Sequence, residues 1–252
     1  MRHFRIVGAG RAGGSLTSAL GMTGRWQLDR TLHHDEPLTG AARGVDLVVI
    51  STPDAAISGI AAAIEPAEAV VMHLAGSLGL GALSPHPAEQ RAAMHPLVAL
   101  PSPEVGAQRL SQGAWFAIAG HPFAQQLVRD LGGHSFTVTD ENRAAYHAAA
   151  CIASNHLVAL LAQAGRVAAA AGVELEAYLD LVRATVDNVT ELGPAAALTG
   201  PVSRGDWETI QAHRAAIGEL GPEELGAYDA MVNLAKKLAD EGDSGRSRPR
   251  PK

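Results

Sequence analysis

A glycine-rich turn near the start of the chain constrains the fold more than any other feature. The apolar run Phe4–Val7 leads into Gly8-Ala9-Gly10-Arg11-Ala12-Gly13, and a helix-like stretch follows from Gly14. The pattern G-x-G-x-x-G between a strand and a helix is typical of a dinucleotide-binding βαβ unit. Gly8 permits the tight turn, Gly10 lets the backbone approach a pyrophosphate, and Gly13 allows close packing of helix on strand. We therefore predict dinucleotide binding rather than a turn that serves packing alone.

The first turn of the following helix supplies backbone N–H groups without intrahelical partners and the positive end of the helix dipole. For this reason the predicted cofactor-binding residues include Arg11 and Ala12 besides the three glycines. The Arg11 side chain is placed to lie over the adenine or its phosphate. An ordinary solvated arginine at a helix start explains that residue almost as well.

The end of the second predicted strand bears on which dinucleotide binds. About 20 residues beyond the turn, an NAD site usually carries an acidic residue for the ribose 2′-hydroxyl. This strand instead ends in Leu32-His33-His34-Asp35, and histidines suit a 2′-phosphate better than a hydroxyl. We predict NADP(H), bound in part by His33, with NAD as the alternative. The short stretch before Val45 has no room for a further helix and strand, so the adenine pocket is expected to be thinly walled.

The rest of the chain divides into a mixed half and a helical half. Strands are predicted in the first half at His3–Gly8, Gln27–His33, Val45–Ser51, Ala69–Leu74, Trp115–Ala119 and His134–Val138, and helices in the second at Ala144–Ala171, Leu175–Leu192, Trp207–Leu220 and Pro222–Asp240. Asp140 is a plausible N-cap for the first of these helices, and Gly172 suits the position just after its end. Strands that alternate with helices form parallel sheets. We predict an α/β protein with a Rossmann-type parallel sheet domain at residues 1–140, an all-α substrate and dimerisation domain at 141–240, and a disordered tail at 241–252.

Polar loops follow two of the predicted strands. Val45–Ile50 runs into Ser51-Thr52-Pro53-Asp54, and Ala69–Leu74 runs into Ala75-Gly76-Ser77. Ligands of open α/β sheets lie outside the carboxyl ends of the strands, so Thr52, Pro53 and Ser77 are predicted to line the nicotinamide. Thr52-Pro53-Asp54 is also a plain turn and helix cap, and the two interpretations are compatible. His73 precedes the second loop and is expected to be structural.

The long predicted helix carries a polar stripe. His147, Cys151, Ser154 and Asn155 follow at i, i+4, i+7 and i+8, which places them within roughly a 100° arc of an α-helix. Apolar neighbours predict that most of this helix is buried, and buried polar side chains need partners. We predict a catalytic face formed by His147, Ser154 and Asn155. Structural polar side chains or a helix–helix interface are the alternatives, and Cys151 is expected to fill the core.

A second polar group lies between two predicted helices, in Leu198-Thr199-Gly200-Pro201-Val202-Ser203-Arg204-Gly205-Asp206. Asp206 is a suitable N-cap for the helix that begins at Trp207. Thr199 and Arg204 have no such local role. A guanidinium on a loop fixed by Gly-Pro is suited to a carboxylate or phosphate, so these two residues are predicted to bind substrate.

Several segments together resemble the bacterial Rossmann-like proteins with a C-terminal domain of unknown function, DUF2520. The resemblance extends almost to Asp240, and the segments that carry it are Gly8-Ala9-Gly10-Arg11-Ala12-Gly13, Thr52-Pro53-Asp54, Met94-His95-Pro96-Leu97, Tyr146-His147-Ala148-Ala149-Ala150 with Ala153-Ser154-Asn155, and Leu198-Thr199-Gly200-Pro201 with Arg204-Gly205-Asp206. The architecture is similar to that of 6-phosphogluconate dehydrogenase, pyrroline-5-carboxylate reductase and ketopantoate reductase. The resemblance implies a nicotinamide-linked reductase or dehydrogenase, with 2-ketopantoate as a candidate substrate.

One departure from these relatives concerns the proton. Related hydroxyacid dehydrogenases present a lysine on the long helix, one or two turns before an asparagine, whereas this chain has Asn155 and no lysine before Lys236. We therefore expect His147, or a bound water, to donate the proton during hydride transfer with NADP(H), because histidine titrates near neutral pH. If His147 is not the donor, His73 and His95 are the next candidates. A non-catalytic NADP(H)-binding sensor is the main alternative, and a protein-interaction scaffold is a further one.

Composition limits the remaining classes. The formal net charge of −6 makes nucleic acid an unfavourable partner. The apolar runs of the first half are too short to cross a bilayer, and the chain begins directly with a strand. A single cysteine, Cys151, forms no internal disulfide, which fits a reducing compartment. We expect a cytoplasmic protein with a small-molecule substrate, without metal, nucleic acid or membrane, that forms a homodimer through its helical half.

Overall fold

The computed structural model describes the backbone of residues 1–33 and 35–246 and the side chains of residues 1–33 and 35–242. The chain divides into two compact units, Met1–Ser154 and Asn155–Lys252, which we call the sheet unit and the helical unit. The sequence placed this boundary near Asp140. It lies later because the first turns of the long helix contact the sheet, through side chains described below.

The sheet unit contains seven strands within the described residues. They are β1 Arg2–Val7, β2 Trp26–Leu32, β3 Leu47–Ile50, β4 Val70–His73, β5 Arg91–Pro96, β6 Trp115–Gly120 and β7 His134–Thr137. Its helices are α1 Arg11–Met22, α2 Asp54–Ala63, α3 Pro103–Leu110, α4 Phe123–Asp130 and α5 Arg143–Cys151. All six predicted strands are present. The seventh, β5, was not predicted as a strand, because Ala92, Ala93 and Pro96 give it a weak β signal.

The strands form one sheet in the order β2-β1-β3-β4-β5-β6-β7. Pairing is parallel except between β5 and β6. The chain moves outward from β1 to β2 and then returns to the other side of β1 for β3, without a helix in residues 35–46. The predicted Rossmann-type α/β class is thus confirmed, as is the short connection after β2. The reversal between β1 and β3 is the topological switch point at which such sheets bind ligands.

Apolar side chains cover both faces of the sheet. Phe4, Ile6 and Met72 belong to a buried cluster on one face, and Val7 and Val48 to a buried cluster on the other. Successive strand residues point to opposite faces, so strands covered on both sides read as continuous apolar runs. This two-sided core holds the carboxyl ends of the strands in fixed positions.

The helical unit consists mostly of α-helices. Its helices are α6 Leu157–Ala170, α7 Glu176–Leu192, α8 Pro194–Ala197, α9 Trp207–Gly218 and α10 Pro222–Arg246. The predicted caps are present: Gly172 has φ +73° after α6, and the Asp206 carboxylate accepts a bond from the Thr209 N–H at 3.1 Å. Residues 241–246 are helical, where the sequence predicted disorder; residues 247–252 lie outside the described part.

The predicted long helix is interrupted. A π-helical turn, Ile152–His156, separates α5 from α6, so the helix is not α-helical throughout as predicted. The start of the helix also differs from the prediction. Thr139 is the N-cap of a 3₁₀ turn, Asp140–Asn142, that precedes α5. The Asp140 carboxylate accepts from the Leu80 N–H at 3.2 Å and does not cap the helix. The expectation of burial was wrong for the middle of this helix, because residues 152–159 are exposed in the single chain.

The same helix bears on membrane association. Within the described part of the chain, Asp140–Ala170 is the one helix that is long and apolar enough to cross a membrane, judged by length and composition alone. Core helices of globular proteins pass the same test. A hydrogen bond between Tyr146 on α5 and His95 on β5 ties its first part to the sheet.

Candidate functional site

The glycine-rich turn has the form that the sequence predicts. Gly8 has φ +94°, and a Cβ there would lie 3.0 Å from the Ser51 carbonyl oxygen. A Cβ on Gly13 would collide with the Gly8 carbonyl and the Ser51 hydroxyl. Gly10, the N-cap of α1, has φ −66° and no atom within 4 Å of the corresponding Cβ position. Gly8 and Gly13 are therefore required by packing, whereas the absence of a side chain at Gly10 leaves a space that the protein itself does not fill.

The open space at Gly10 fits the pyrophosphate of a dinucleotide. The Gly14 N–H donates to the Gly10 carbonyl at 2.8 Å, which is the first bond of α1. The N–H groups of Arg11, Ala12 and Gly13 precede it and have no intrahelical acceptor. They lie at the switch point between β1 and β3, where donors at a helix N-terminus favour an anion. The residues present would hold the phosphates through these backbone N–H groups. Arg11 is the first residue of the helix, and its side chain is exposed.

His33 lies next to this turn. The Gly8 N–H donates to the carbonyl of Leu32 at 3.0 Å, so the residue that follows β2 is adjacent to the start of the glycine turn. His33 is exposed there. His34, the other histidine of the predicted 2′-phosphate contact, lies outside the described residues.

The structure joins the two polar loops that follow β3 and β4. The Ser77 hydroxyl donates to the Asp54 carboxylate at 2.5 Å. Helix α2 begins within this segment as predicted, with Pro53 as N-cap and Asp54 in its first turn, but no side-chain hydrogen bond caps it in the described structure. The Thr52 hydroxyl is buried and has no partner among the described residues. Thr52, Pro53 and Ser77 are thus brought together at the carboxyl edge of the sheet, as a common lining of one site requires.

A group of five polar side chains lies at the same edge of the sheet. We call it the strand-end cluster; its members are His73, His95, Arg143, Tyr146 and His147. The Tyr146 hydroxyl and Nδ1 of His95 form a hydrogen bond at 2.5 Å, and the His147 ring stands edge-on to His95 with centroids 6.0 Å apart. A Cβ added to Gly76 would lie 2.8 Å from Nδ1 of His147 and 2.9 Å from Nε2 of His95. The loop after β4 therefore brings glycine backbone against both imidazoles.

Burial sets the protonation of the cluster. Desolvation lowers the pKa of His73 to about 4, and desolvation followed by the charges of His147 and Arg143 lowers the pKa of His95 to about 4. Desolvation raises the pKa of Tyr146 to about 12, against the opposing effect of Arg143. At neutral pH, His73 and His95 are uncharged and Tyr146 keeps its proton.

Arg143 is the charged member of the cluster. Its side chain is 1% exposed, and none of its guanidinium nitrogens has a hydrogen-bond partner among the described residues. The nearest counter-charge is the Asp140 carboxylate at 3.8 Å, which is itself half exposed. Desolvation lowers the pKa of the guanidinium, with Asp140 opposing that shift. A buried cation without hydrogen bonds is unfavourable, so this arginine calls for an explanation.

The predicted catalytic residues do not all lie together. His147 contacts Cys151 one turn later, with Nε2 3.7 Å from the sulfur, and its buried Nδ1 has no partner in the described residues. Ser154 and Asn155 are exposed on the π-helical turn. The 100° spacing that placed all four on one stripe applies to an α-helix, and the π turn changes it.

The predicted substrate residues are in the helical unit. Thr199 is exposed, and Arg204 is exposed on a 3₁₀ turn, Val202–Arg204. Two members of the strand-end cluster, Arg143 and Tyr146, were missed as candidate site residues, and His95 was considered only as a substitute for His147. His95 and Tyr146 stood in the segments that carried the family resemblance, next to the selected His147. Arg143 precedes His147 by one turn, and that spacing was its only signal in the sequence.

Comparisons with known proteins agree with this architecture. Residues 117–235 match the family model described as a domain of unknown function, DUF2520, which confirms the resemblance seen in the sequence. No curated protein matches the sequence.

Solved structures extend the similarity over nearly the whole chain. Protein TM1727 of Thermotoga maritima is 23% identical with a TM-score of 0.73, covering 94% of this chain and 98% of that one. BF3122 of Bacteroides fragilis, described as a candidate NADP oxidoreductase, is 20% identical with a TM-score of 0.72, covering 95% and 97%. Plasmodium falciparum pyrroline carboxylate reductase with NADP bound is 11% identical with a TM-score of 0.59, covering 94% and 98%. At these identities the similarity establishes a shared fold.

Proposed function

We propose that this chain is an NAD(P)-dependent oxidoreductase that transfers a hydride between NADP(H) and a small carboxylated carbonyl or imine compound. One observation carries the proposal: the unfilled space at Gly10, at the N-terminus of α1, shares the carboxyl edge of the sheet with the buried strand-end cluster. A dinucleotide site next to neutral imidazoles and an un-ionised phenol supplies the two requirements of carbonyl or imine reduction, a hydride carrier and a proton source.

The choice of NADP(H) rests on two supports. His33 follows β2 beside the glycine turn, at the place where an acidic residue favours NAD. The Plasmodium falciparum reductase that shares the fold was solved with NADP bound. NAD is the alternative cofactor. 2-Ketopantoate is one substrate within the proposed class, as the family resemblance implies.

The proposed roles of the chain's residues follow from their chemistry. When bound, the nicotinamide supplies or accepts the hydride. His147 is the acid that the sequence proposes, with Ser154 and Asn155 orienting the reacting oxygen or nitrogen. In the helical unit, Arg204 and Thr199 are proposed to bind the substrate carboxylate, because guanidinium and hydroxyl donors suit it.

A non-catalytic NADP(H)-binding sensor is the second candidate. It is favoured by the absence of a lysine before Lys236, since the related dehydrogenases carry one on the long helix. Titration of the protein's effect on NADPH fluorescence, followed by turnover assays with NADPH and pyruvate, 2-ketopantoate or 1-pyrroline-5-carboxylate, separates the candidates. We expect binding and turnover. Binding without turnover on any of the three would support the sensor, and no binding would overturn both.

We also propose that the helical unit forms a homodimer. Among residues 155–242, only Ala168, Ile210 and Ile217 are buried apolar side chains, whereas Leu181 on α7 is 62% exposed and Leu192 is 59% exposed. So few buried side chains do not offset the conformational entropy of ordering a unit of this size. A second copy would cover the apolar face of α7. Light scattering should give twice the chain mass of 26.0 kDa; a monomer at micromolar concentration would contradict it.

A further inference from the structure

We infer that the proton of the reaction passes through His95 and is resupplied to it by Tyr146, with Arg143 as the positive charge behind the tyrosine. This inference rests on the proposed oxidoreductase function and names the proton source at the same site. It assigns chemistry to Arg143 and Tyr146, which the sequence did not select, and it moves the role of acid from His147 to His95. His147 then acts as a hydrogen-bond donor to the reacting atom.

The geometry gives His95 two distinct ends. Nδ1 is hydrogen-bonded to the Tyr146 hydroxyl at 2.5 Å. In the proposed relay the hydroxyl donates this bond, which leaves the proton of the neutral ring on Nε2. Nε2 lies on the side of Gly76, and Nδ1 of His147 approaches the same glycine. His95 on β5 therefore stands between the phenol of α5 and the loop that follows β4. A hydrogen-bonded chain with a donor at each step is what a proton relay requires.

Acid strength explains why the tyrosine is needed. With a pKa of about 4, His95 is protonated in only about one molecule in a thousand at pH 7, so its imidazolium is a scarce donor. A neutral imidazole without a proton supply would have to become an anion. Tyr146, with a pKa of about 12, holds its proton at pH 7 and is still a stronger acid than an alkoxide's parent alcohol. Together, His95 and Tyr146 can therefore donate a proton to the reacting atom, which neither side chain could do efficiently alone.

The proposed step balances. As the hydride arrives at the carbonyl or imine carbon, the reacting oxygen or nitrogen takes the proton from Nε2 of His95. Nδ1 takes the proton from the Tyr146 hydroxyl, so the imidazole ends neutral and the phenol becomes phenolate. Once the product leaves, water returns a proton to Nε2 of His95, and Nδ1 gives its proton back to the phenolate of Tyr146, which is only partly buried. One hydride and one proton are consumed, and both side chains are restored.

Arg143 accounts for the transient phenolate. It precedes Tyr146 by three residues on the same helix, so the two side chains share one face. Its buried guanidinium has no hydrogen-bond partner in the described residues, and its charge lowers the pKa of Tyr146. A buried cation beside an ionising phenol stabilises the phenolate more than a solvated one would. The unfavourable burial of Arg143 is the expected cost of that role.

Several charged or titratable groups face the pair, and each affects its pH dependence. They are His73 on β4, Asp54 on α2, Asp140 in the 3₁₀ turn, and Arg143 and His147 on α5. Desolvation makes the largest contribution to the low pKa of His95, ahead of these charges. The pH profile of the wild-type protein should therefore show no ionisation of His95 above pH 5.

The relay is tested by measuring turnover of variants with NADPH and whichever of pyruvate, 2-ketopantoate and 1-pyrroline-5-carboxylate the wild-type protein reduces. We expect His95→Gln to lower turnover by roughly 10²–10⁴ and Tyr146→Phe by roughly 10², while NADPH affinity stays unchanged. His147→Gln should lower turnover only about tenfold. Tyr178→Phe in the helical unit is the matched control and should have no effect. If His147→Gln has the largest effect, or Tyr146→Phe keeps turnover within twofold, the relay is overturned.

A second measurement needs no substrate, so it separates failure of the relay from failure of the proposed function. In NMR spectra of the ¹⁵N-histidine-labelled protein, His95 should be neutral and protonated at Nε2 from pH 7 down to about pH 5. Its pKa should rise in Arg143→Met, since a nearby positive charge is removed, and return toward the wild-type value in Arg143→Lys. A proton on Nδ1, or an ordinary pKa for His95, would refute the relay even in an active enzyme. The expected signature in a protein without turnover would support the relay geometry and reject the oxidoreductase proposal.

Discussion

The sheet unit and the helical unit differ most in how much apolar surface they bury. In the sheet unit, strands such as Leu47–Ile50 are fully buried, and apolar clusters cover both faces. In the helical unit, the three buried apolar residues of positions 155–242 are outnumbered by exposed leucines and valines on α6, α7 and α10. The first unit has a complete hydrophobic core, and the second leaves much of its apolar surface exposed in the single chain.

This difference separates what each unit can contribute to function. A packed core holds side chains at the strand ends in fixed positions, so the strand-end cluster is preorganised within one chain. The polar residues of the helical unit, Thr199 and Arg204, stand on an exposed loop. We therefore assign the proton chemistry to the sheet unit and propose that dimerisation fixes the substrate-binding residues.

The largest effect is expected from a charge on the apolar face of the helical unit. In a single chain, Leu181→Glu changes a side chain that is 62% exposed, which normally alters stability by less than about 0.5 kcal/mol. In the proposed dimer it buries an unpaired carboxylate in each copy, at several kcal/mol each. Light scattering should therefore show dissociation to a chain of 26.0 kDa.

Met22→Glu in the sheet unit is the matched control for this substitution, because Met22 is 64% exposed and equally apolar. It should leave the mass unchanged. If both variants behave alike, the exposed leucines of α7 are ordinary surface, and the contrast between the two units says nothing about assembly.

The next largest effect concerns the sheet unit alone. Gly10→Val places a side chain in space that no protein atom approaches within 4 Å, at a φ that valine tolerates, so the fold should persist. The same side chain occupies the proposed pyrophosphate position, and NADPH affinity should fall by about a hundredfold or more. Fluorescence titration measures it. Gly21→Val, in open space near the end of the same helix, should bind normally. Equal affinity in both variants would end the dinucleotide interpretation.

The elements that the sequence predicted correctly are those with a local physical signal. The glycine turn is specified by its own residues, since Gly8 needs a positive φ and Gly13 admits no side chain. The caps at Gly172 and Asp206 depend likewise on one or two neighbours in the chain. The predicted strands are apolar runs that the sheet buries on both faces.

The elements that were missed depend on contacts distant in sequence. The π-helical turn Ile152–His156 has no marker in an Ala-rich helix, and β5 is a strand because it pairs with β4 and β6. The strand-end cluster combines residues of β4, β5 and α5. His147 was predicted because it lies on a polar stripe of a largely apolar helix. Arg143 has the sequence pattern of a solvated surface charge, and only the folded structure shows that it is buried.

A smaller effect follows from His73, which is wholly buried in the sheet unit. Unfolded, it takes up a proton below about pH 6.5; folded, its pKa is about 4. Between these values the unfolded chain binds more protons, so stability falls as the pH drops through this window. At pH 5 the loss is about 2 kcal/mol. His73→Gln should remove that part of the acid sensitivity, measured as urea unfolding at pH 7 and pH 5. If His73→Gln has the same pH dependence of stability as the wild-type protein, the loss of stability in acid is caused by protonation of another group.

The smallest effect, and the sharpest test of the contrast between the units, concerns Arg143. The sheet unit is well packed, yet it buries a guanidinium without hydrogen bonds in the described residues, which a core selected for stability alone would replace. Arg143→Met keeps the length of the side chain and removes the charge. We expect it to raise the free energy of unfolding by about 1 kcal/mol while it slows turnover, because stability and function are opposed at such sites. Arg143→Lys keeps the charge and should not be stabilised. A loss of stability in Arg143→Met would mean that water or an anion satisfies the guanidinium in solution, and the argument from its unfavourable burial would fail.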